Sequence, residues 1–277
     1  MKKTILLWVV AVVITLASAI YQRMTGPTYP VSGEILLNGK TISYKLLRSH
    51  GGETDAPVEI KTNDETITGT LFWKRFKTDD EFIPVPMRYS GGKLIANLPN
   101  QPKAGKLEYY VELNNVKIPV EENIVIRFKG DVPVWLLIPH VIAMFGAMLL
   151  STRTGLEIFR KEKDNLLNLT YWTLGFLLIG GFVLGPAVQL YAFDAWWTGF
   201  PFGTDLTDNK TLIAFIVWLT AFFMYKRTSR PRVWAFGAAV VMMIIFLIPH
   251  SLLGSELDYN KLDKQQVEMQ STTTRQL

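Results

Sequence analysis

Cysteine is absent from the 277 residues, so disulfides, thiolate zinc sites, iron–sulfur clusters and covalently attached haem are excluded. Charge is sparse: 19% of residues are Asp, Glu, Lys or Arg, against about a quarter in an ordinary soluble domain. No glycine-rich phosphate loop, nucleophile elbow, zinc-protease helix or kinase signature appears. No hydrolase or phosphoryl-transfer chemistry is therefore legible, and no enzymatic reaction is read. Acidic pairs such as Asp79-Asp80 and Glu121-Glu122 read as solvated turns. Lys and Arg outnumber Asp and Glu by 29 to 24, but they are not interleaved with stacking or base-reading side chains, which argues against nucleic acid.

The cations sit instead at the ends of long apolar runs. After Met1-Lys2-Lys3, residues 5–20 are apolar, and Ala17-Ser18-Ala19 offers a small-residue cleavage site. Residues 1–24 thus read as a signal anchor or a signal peptide, and both readings put residue 25 onward outside the cytoplasm. Four further runs, 132–151, 169–191, 211–225 and 233–250, are each about long enough to cross a bilayer as a helix. Pro139, Pro186 and Pro249 within them imply kinks or helix ends. Orientation follows from the loops. Arg153, Arg160, Lys161 and Lys163 follow the first run, and Lys226, Arg227, Arg230 and Arg232 precede the last. The connection between them, 192–210, carries Asp194, Asp205 and Asp208. The basic loops belong in the cytoplasm, and the acidic loop and the tail 251–277 outside. Trp196, Trp197, Phe200 and Phe202 then fall where an interfacial aromatic belt is expected.

Residues 25–131 have a different texture. Short alternating runs at 31–37, 41–47, 58–61, 66–76, 83–89, 94–98, 107–113, 116–120 and 124–128 are separated by turn residues. Asn38-Gly39 is a hairpin signal. Eight or nine strands in about a hundred residues predict a Greek-key sandwich, large enough to stand on its own core. The stretch from Ala96-Asn97-Leu98-Pro99 through Lys106-Leu107-Glu108-Tyr109-Tyr110-Val111-Glu112-Leu113 resembles the E–F region of fibronectin type III and other Ig-like domains. That resemblance implies an Ig-like fold with Tyr109 or Tyr110 at a strand corner, and it implies no activity. The expected fold is therefore mixed: an all-β Ig-like sandwich joined to a four-helix transmembrane domain at 132–250. The layout resembles that of bacterial inner-membrane proteins with a periplasmic domain and tail.

Two histidines share the tripeptide Ile-Pro-His. His140 lies about eight residues, roughly 12 Å, below the outer start of its helix, and His250 ends the last helix. Ionisable groups inside membrane helices are costly and are functional candidates for that reason. A neutral imidazole pair suits b-type haem or a transition metal, or relays a proton. The alternative is a histidine bonded to a carbonyl that a nearby proline has freed. Asp205 and Asp208 suit a cation, with Glu256 or Asp258; alternatively Thr207 or Asp208 caps the following helix. His50 in Ser49-His50-Gly51-Gly52 reads as a turn histidine. Gly181 and Gly185 form a small-xxx-small pair for close helix packing.

Three functions stay open. The leading expectation is a binding or scaffold protein that contacts the lipid bilayer and a protein partner in the membrane or periplasm. Next comes a redox, haem or metal module using His140 and His250. Last is solute transport, for which the helices offer almost no polar path.

Overall fold

The computed structural model describes residues 2–160, 165–249, 254 and 256–274. The chain folds into two compact units, one of residues 1–27 and 132–255, the other of residues 28–131 and 256–277.

The first unit is helical. Helix α1 spans Lys2–Thr25 and α2 spans Val134–Gly155, continuing into a 3₁₀ turn at Leu156–Phe159. Helix α3 (Leu166–Leu177), a π-helical stretch (Leu178–Leu184) and α4 (Gly185–Phe193) follow one another without a break, then come α5 (Leu206–Arg227) and α6 (Pro231–Leu247). Among the described residues, four helical segments are long and apolar enough to cross a membrane: Lys3–Thr25, Val134–Phe159, Leu166–Phe193 and Leu206–Arg227. The apolar α6 is shorter, at 17 residues.

Residue size is distributed as expected where lipid is the solvent. Ala147, Ala214, Ala221, Ala235, Ala238 and Ala239 are buried around Trp218 and Met242, whereas Ile5, Leu6, Val13, Ile142, Ile179 and Ile244 are exposed. Lipid tails are as apolar as leucine, so nothing drives large aliphatics inward, and small residues let backbones approach closely. A Cβ on Gly155 would come within 2.5 Å of the Ala239 Cβ. The wide turn at Leu178–Leu184 has an identifiable cause. Pro186, in the first turn of α4, has no N–H and its ring crowds the carbonyl four residues back. The backbone relaxes into an i→i−5 bond from the Gly185 N–H to the Gly180 carbonyl.

The second unit is strand-rich. Its strands are β1 (Val31–Leu37), β2 (Lys40–Leu46), β3 (Ser49–Gly51), β4 (Ala56–Lys61), β5 (Gly69–Arg75), β6 (Ile83–Pro86), β7 (Arg88–Ser90), β8 (Lys93–Leu98), β9 (Lys106–Leu113), β10 (Val116–Ile118) and β11 (Ile124–Lys129). The β1–β2 hairpin turns at Asn38-Gly39, both with positive φ (50° and 73°), as the turn type of such a dipeptide demands. One sheet runs β3-β11-β9-β5-β6 with β10 on β9, and another runs β4-β8-β7. Alternation decides what each strand buries: Ala56, Val58 and Ile60 from β4, Leu94, Ala96 and Leu98 from β8, and Leu107, Tyr109, Val111 and Leu113 from β9 share one core. The fully buried Tyr109 donates its hydroxyl to the Leu47 carbonyl at 2.7 Å. Tyr110 faces outward and stacks on Phe72.

Helix α7 (Tyr259–Thr274) belongs to this unit too. Tyr259, 5% exposed, accepts from the Lys106 N–H at 3.0 Å and donates to Gln101 Oε1 at 2.9 Å. The Leu257 N–H donates to the Ala104 carbonyl. Glu256 is clamped between Lys77 and Lys106. Arg75 holds Asp80 in a two-pronged contact and reaches Asp263 at 2.9 Å, with its guanidinium over the Tyr259 ring. Gly105 is required at this contact, because a Cβ there would lie 2.8 Å from both the Tyr259 hydroxyl and the Pro102 carbonyl.

Candidate functional site

His140 sits in the second turn of α2 and its Nδ1 lies 3.0 Å from the Gly180 carbonyl in the π-helical stretch. A carbonyl only accepts, so Nδ1 carries the proton and Nε2 is left with the lone pair. The imidazole therefore braces the wide turn that Pro186 imposes. His250 lies outside the described residues. The end of α6 just before it is capped from two other helices. Lys210 Nζ donates to the Ile248 carbonyl at 2.9 Å and the Pro249 carbonyl at 3.2 Å, and Gln22 Nε2 donates to the Phe246 carbonyl at 2.6 Å. Terminal carbonyls that the helix cannot satisfy are thus bonded.

The cap of α5 is Asp205, not Thr207 or Asp208: its carboxylate accepts from the Thr207 N–H at 2.8 Å, which places Thr207 and Asp208 inside the first turn. Asp208, 8% exposed, accepts from the Thr198 and Gly199 N–H groups at 2.6 and 3.0 Å. Asn209 accepts from the Phe200 N–H. These three side chains organise the loop that displays Trp196, Phe200 and Phe202 at 59%, 69% and 82% exposure. Glu256, considered as a companion ligand, is engaged by Lys77 and Lys106 instead. Among the described residues no three His, Asp or Glu side chains converge as a metal would require.

A polar layer at the far end of α2 escaped the sequence reading. Ser151, Thr152, Arg153, Thr154, Glu157, Thr170 and Thr173 are all buried. Arg153 NH1 lies 2.6 Å from Glu157 Oε1, and Arg160 NH1 lies 3.3 Å from the same oxygen. The Arg153 guanidinium also covers the Trp8 ring of α1 at 5.4 Å. The threonines at 154, 170 and 173 donate back to carbonyls four residues earlier, while Arg153 Nε and Glu157 Oε2 have no hydrogen-bond partner among the described residues. The i,i+4 spacing of Arg153 and Glu157 was the available signal. It was masked because arginine after an apolar run ordinarily belongs to a loop.

The strand-rich unit holds an open groove of about 590 Å³. Tyr44, Lys45, Glu59, Lys61 and Lys93 line it, with Tyr44 lying across its ladder partner Gly33. Lys93 pairs with Glu59 at 2.7 Å, and Ser43 donates to Glu34. Among the described residues that line the groove, no nucleophile is paired with a base or an oxyanion site.

No protein-family model and no curated protein matches the chain.

Proposed function

We propose that this chain is a membrane-anchored binding module: an Ig-like domain held on the outer face of a bacterial inner membrane, which captures a protein partner. The observation that carries the reading is the membership of α7 in the strand-rich unit. Residues 28–131 and the tail form one body, so the intervening residues 132–255 must start and finish on the same side of the membrane. That requires an even number of crossings, supplied by α2, the α3–α4 rod, α5 and α6. By this argument α6 spans despite its length of roughly 25 Å, somewhat under a typical hydrocarbon core.

The hydrogen bonds of Ser18 and Gln22 to Met243 and Phe246 support a retained anchor, because a cleaved leader would not be built into the bundle. The exposed cations Lys226, Arg227 and Arg230 support a cytoplasmic α5–α6 loop. The sheet orders β4-β8-β7 and β11-β9-β5 are those of strands B-E-D and G-F-C in Ig-like sandwiches, which supports the reading; the common use of such domains is recognition.

Because the chain lacks cysteine, single exposed cysteines report sidedness cleanly. In spheroplasts, S90C and K264C should react with a membrane-impermeant maleimide, and S229C only after lysis. Labelling of S229C in intact cells together with protection of S90C would overturn the layout. The binding reading is tested by a photocrosslinking residue at position 61, which should capture a discrete partner in living cells, whereas one at the lipid-facing Ile142 should not.

A further inference from the structure

Resting on that reading, we propose that the surface beneath α7 is a peptide-binding site whose resident occupant is the chain's own tail. The partner it receives is a helical segment of another protein with the tail's chemistry: a carboxylate three residues before a tyrosine and a second one four residues after it, as in Glu256, Tyr259 and Asp263. The first observation is that the strand-rich unit closes without the tail. Its core cluster is drawn from residues between Leu37 and Phe128, and the partly buried side chains packed on it lie between Val31 and Tyr89. Among the described residues no side chain of α7 belongs to that cluster; Tyr259 is buried outside it. The tail is added to a finished core.

The second observation is how the tail is held. Glu256 lies between Lys77 and Lys106, 2.8 Å from the former, and Asp263 meets Arg75 at 2.9 Å. The Tyr259 ring lies under that guanidinium, and its hydroxyl accepts the Lys106 N–H. Lys77 and Lys106 are also set over the Phe76 ring, at 5.3 and 5.4 Å, so both cations keep an anchor when a carboxylate leaves. Recognition of an acidic motif by clustered cations is a recurrent peptide-binding mode, and tyrosine is a favoured anchor residue.

The third observation is that α7 has 16 residues and a mostly polar sequence. Such a helix is marginal in water, so the tail orders as it docks and gives up affinity in doing so. Its tether offsets that loss by raising its effective concentration to roughly the millimolar range, which shuts out the tail of a second copy. A partner that presents the same groups on a preformed helix omits the ordering cost and can displace the tail.

The test uses the full chain in lipid nanodiscs with a nitroxide at K264C. The probe is a peptide of residues 254–274 braced as a helix by a lactam between positions 261 and 265, both exposed. It should displace the tail and mobilise the label. The same peptide carrying Y259A should require about tenfold more or fail, and one carrying E256K/D263K should fail. The unbraced peptide should act only once a protease site inserted between residues 252 and 255 has been cut and the tether lost. A label that stays immobile at every concentration of the braced peptide would overturn the assignment, as would equal action of the substituted peptides. So would loss of the native fold, read by circular dichroism, when the cut tail is washed out. A partner captured from position 61 in cells while the braced peptide fails would leave the binding reading standing and sink only this site.

Discussion

Removing one member of the Arg153–Glu157 pair tests whether the buried polar layer is a structural clamp. Both side chains are about 1% exposed, so the survivor of a single substitution is an uncompensated charge inside the bundle, a situation that costs about 3–5 kcal/mol. The geometry predicts unequal costs. In E157L, Arg153 loses the carboxylate it pairs with and, among the described residues, keeps the Trp8 ring, so the full penalty applies. In R153M, Glu157 retains Arg160 at 3.3 Å, and the loss should be smaller by about 1 kcal/mol or more. The double variant R153M/E157L replaces the pair with apolar side chains of similar reach. It should recover most of the loss and sit near the parent, since a buried pair seldom outperforms good apolar packing. Reversible unfolding in mixed micelles, followed by helical circular dichroism, gives all three values and the coupling energy. Additive single costs, each under about 1 kcal/mol, would refute the reasoning and show that water or lipid headgroups reach the pair.

Further outcomes follow from the tail, the π-helical stretch and the bundle core. The Arg75 guanidinium holds the Asp80 carboxyl below its ordinary range. Burial opposes ionisation of Glu256, but its bonds to Lys106 and Lys77 prevail and hold it low as well. Depressed carboxyls contribute stability that is present above their unfolded values, near 4, and is lost as pH falls through the folded ones. A nitroxide at K264C should therefore stay immobile at neutral pH and loosen below about pH 4; mobility that does not change with acid would contradict the clasp. Burial pushes the Tyr259 hydroxyl up to about 12, so the same label should loosen again as alkali carries the pH from 10 through that value. Replacing Tyr259 with Phe leaves the buried Lys106 N–H unbonded and should cost about 1–3 kcal/mol, visible as faster amide exchange around residues 104–106. H140L removes the donor to Gly180 and should lower the unfolding free energy by about 1 kcal/mol. The parent should show no Soret band, and a band that vanishes in H140A would transfer the site to haem. G155I forces α2 away from Ala239 and should destabilise the bundle by about 1–3 kcal/mol, read in the same micelle assay.

Period and turn chemistry made the strand-rich unit legible. Asn38-Gly39 sits at a hairpin tip because both residues tolerate positive φ, and β9 reads as alternating because one of its faces is the core. What escaped is what period does not encode. Helix α7 has the composition of a solvated tail, with a mostly polar sequence. It docks through one aromatic, Tyr259, and a few ion pairs whose partners lie about 150 residues or more away. The groove between β2 and β4 was invisible for a related reason: a sequence shows strands but not which neighbours fail to ladder.

The misreading of Arg153 has a sharper consequence. The positive-inside rule counts cations by their position along the chain, as though each faced water at the membrane edge. Arg153 does not; it is buried against Trp8 and neutralised by Glu157, so it contributes nothing to the charge the insertion machinery would hold back in the cytoplasm. Arg160 is also partly spent on Glu157. The burden of orientation then rests on Lys161 and Lys163 of the first basic loop together with the α5–α6 loop, where Lys226, Arg227 and Arg230 are exposed. Neutralising Arg153 should therefore leave topology unchanged while lowering stability, whereas neutralising Lys161, Lys163, Lys226, Arg227 and Arg230 together should leave the bundle stable but yield a mixture of orientations. Sidedness labelling of S229C in each background separates the two roles, and inversion by the Arg153 change alone would show that its charge acts before the bundle closes around it.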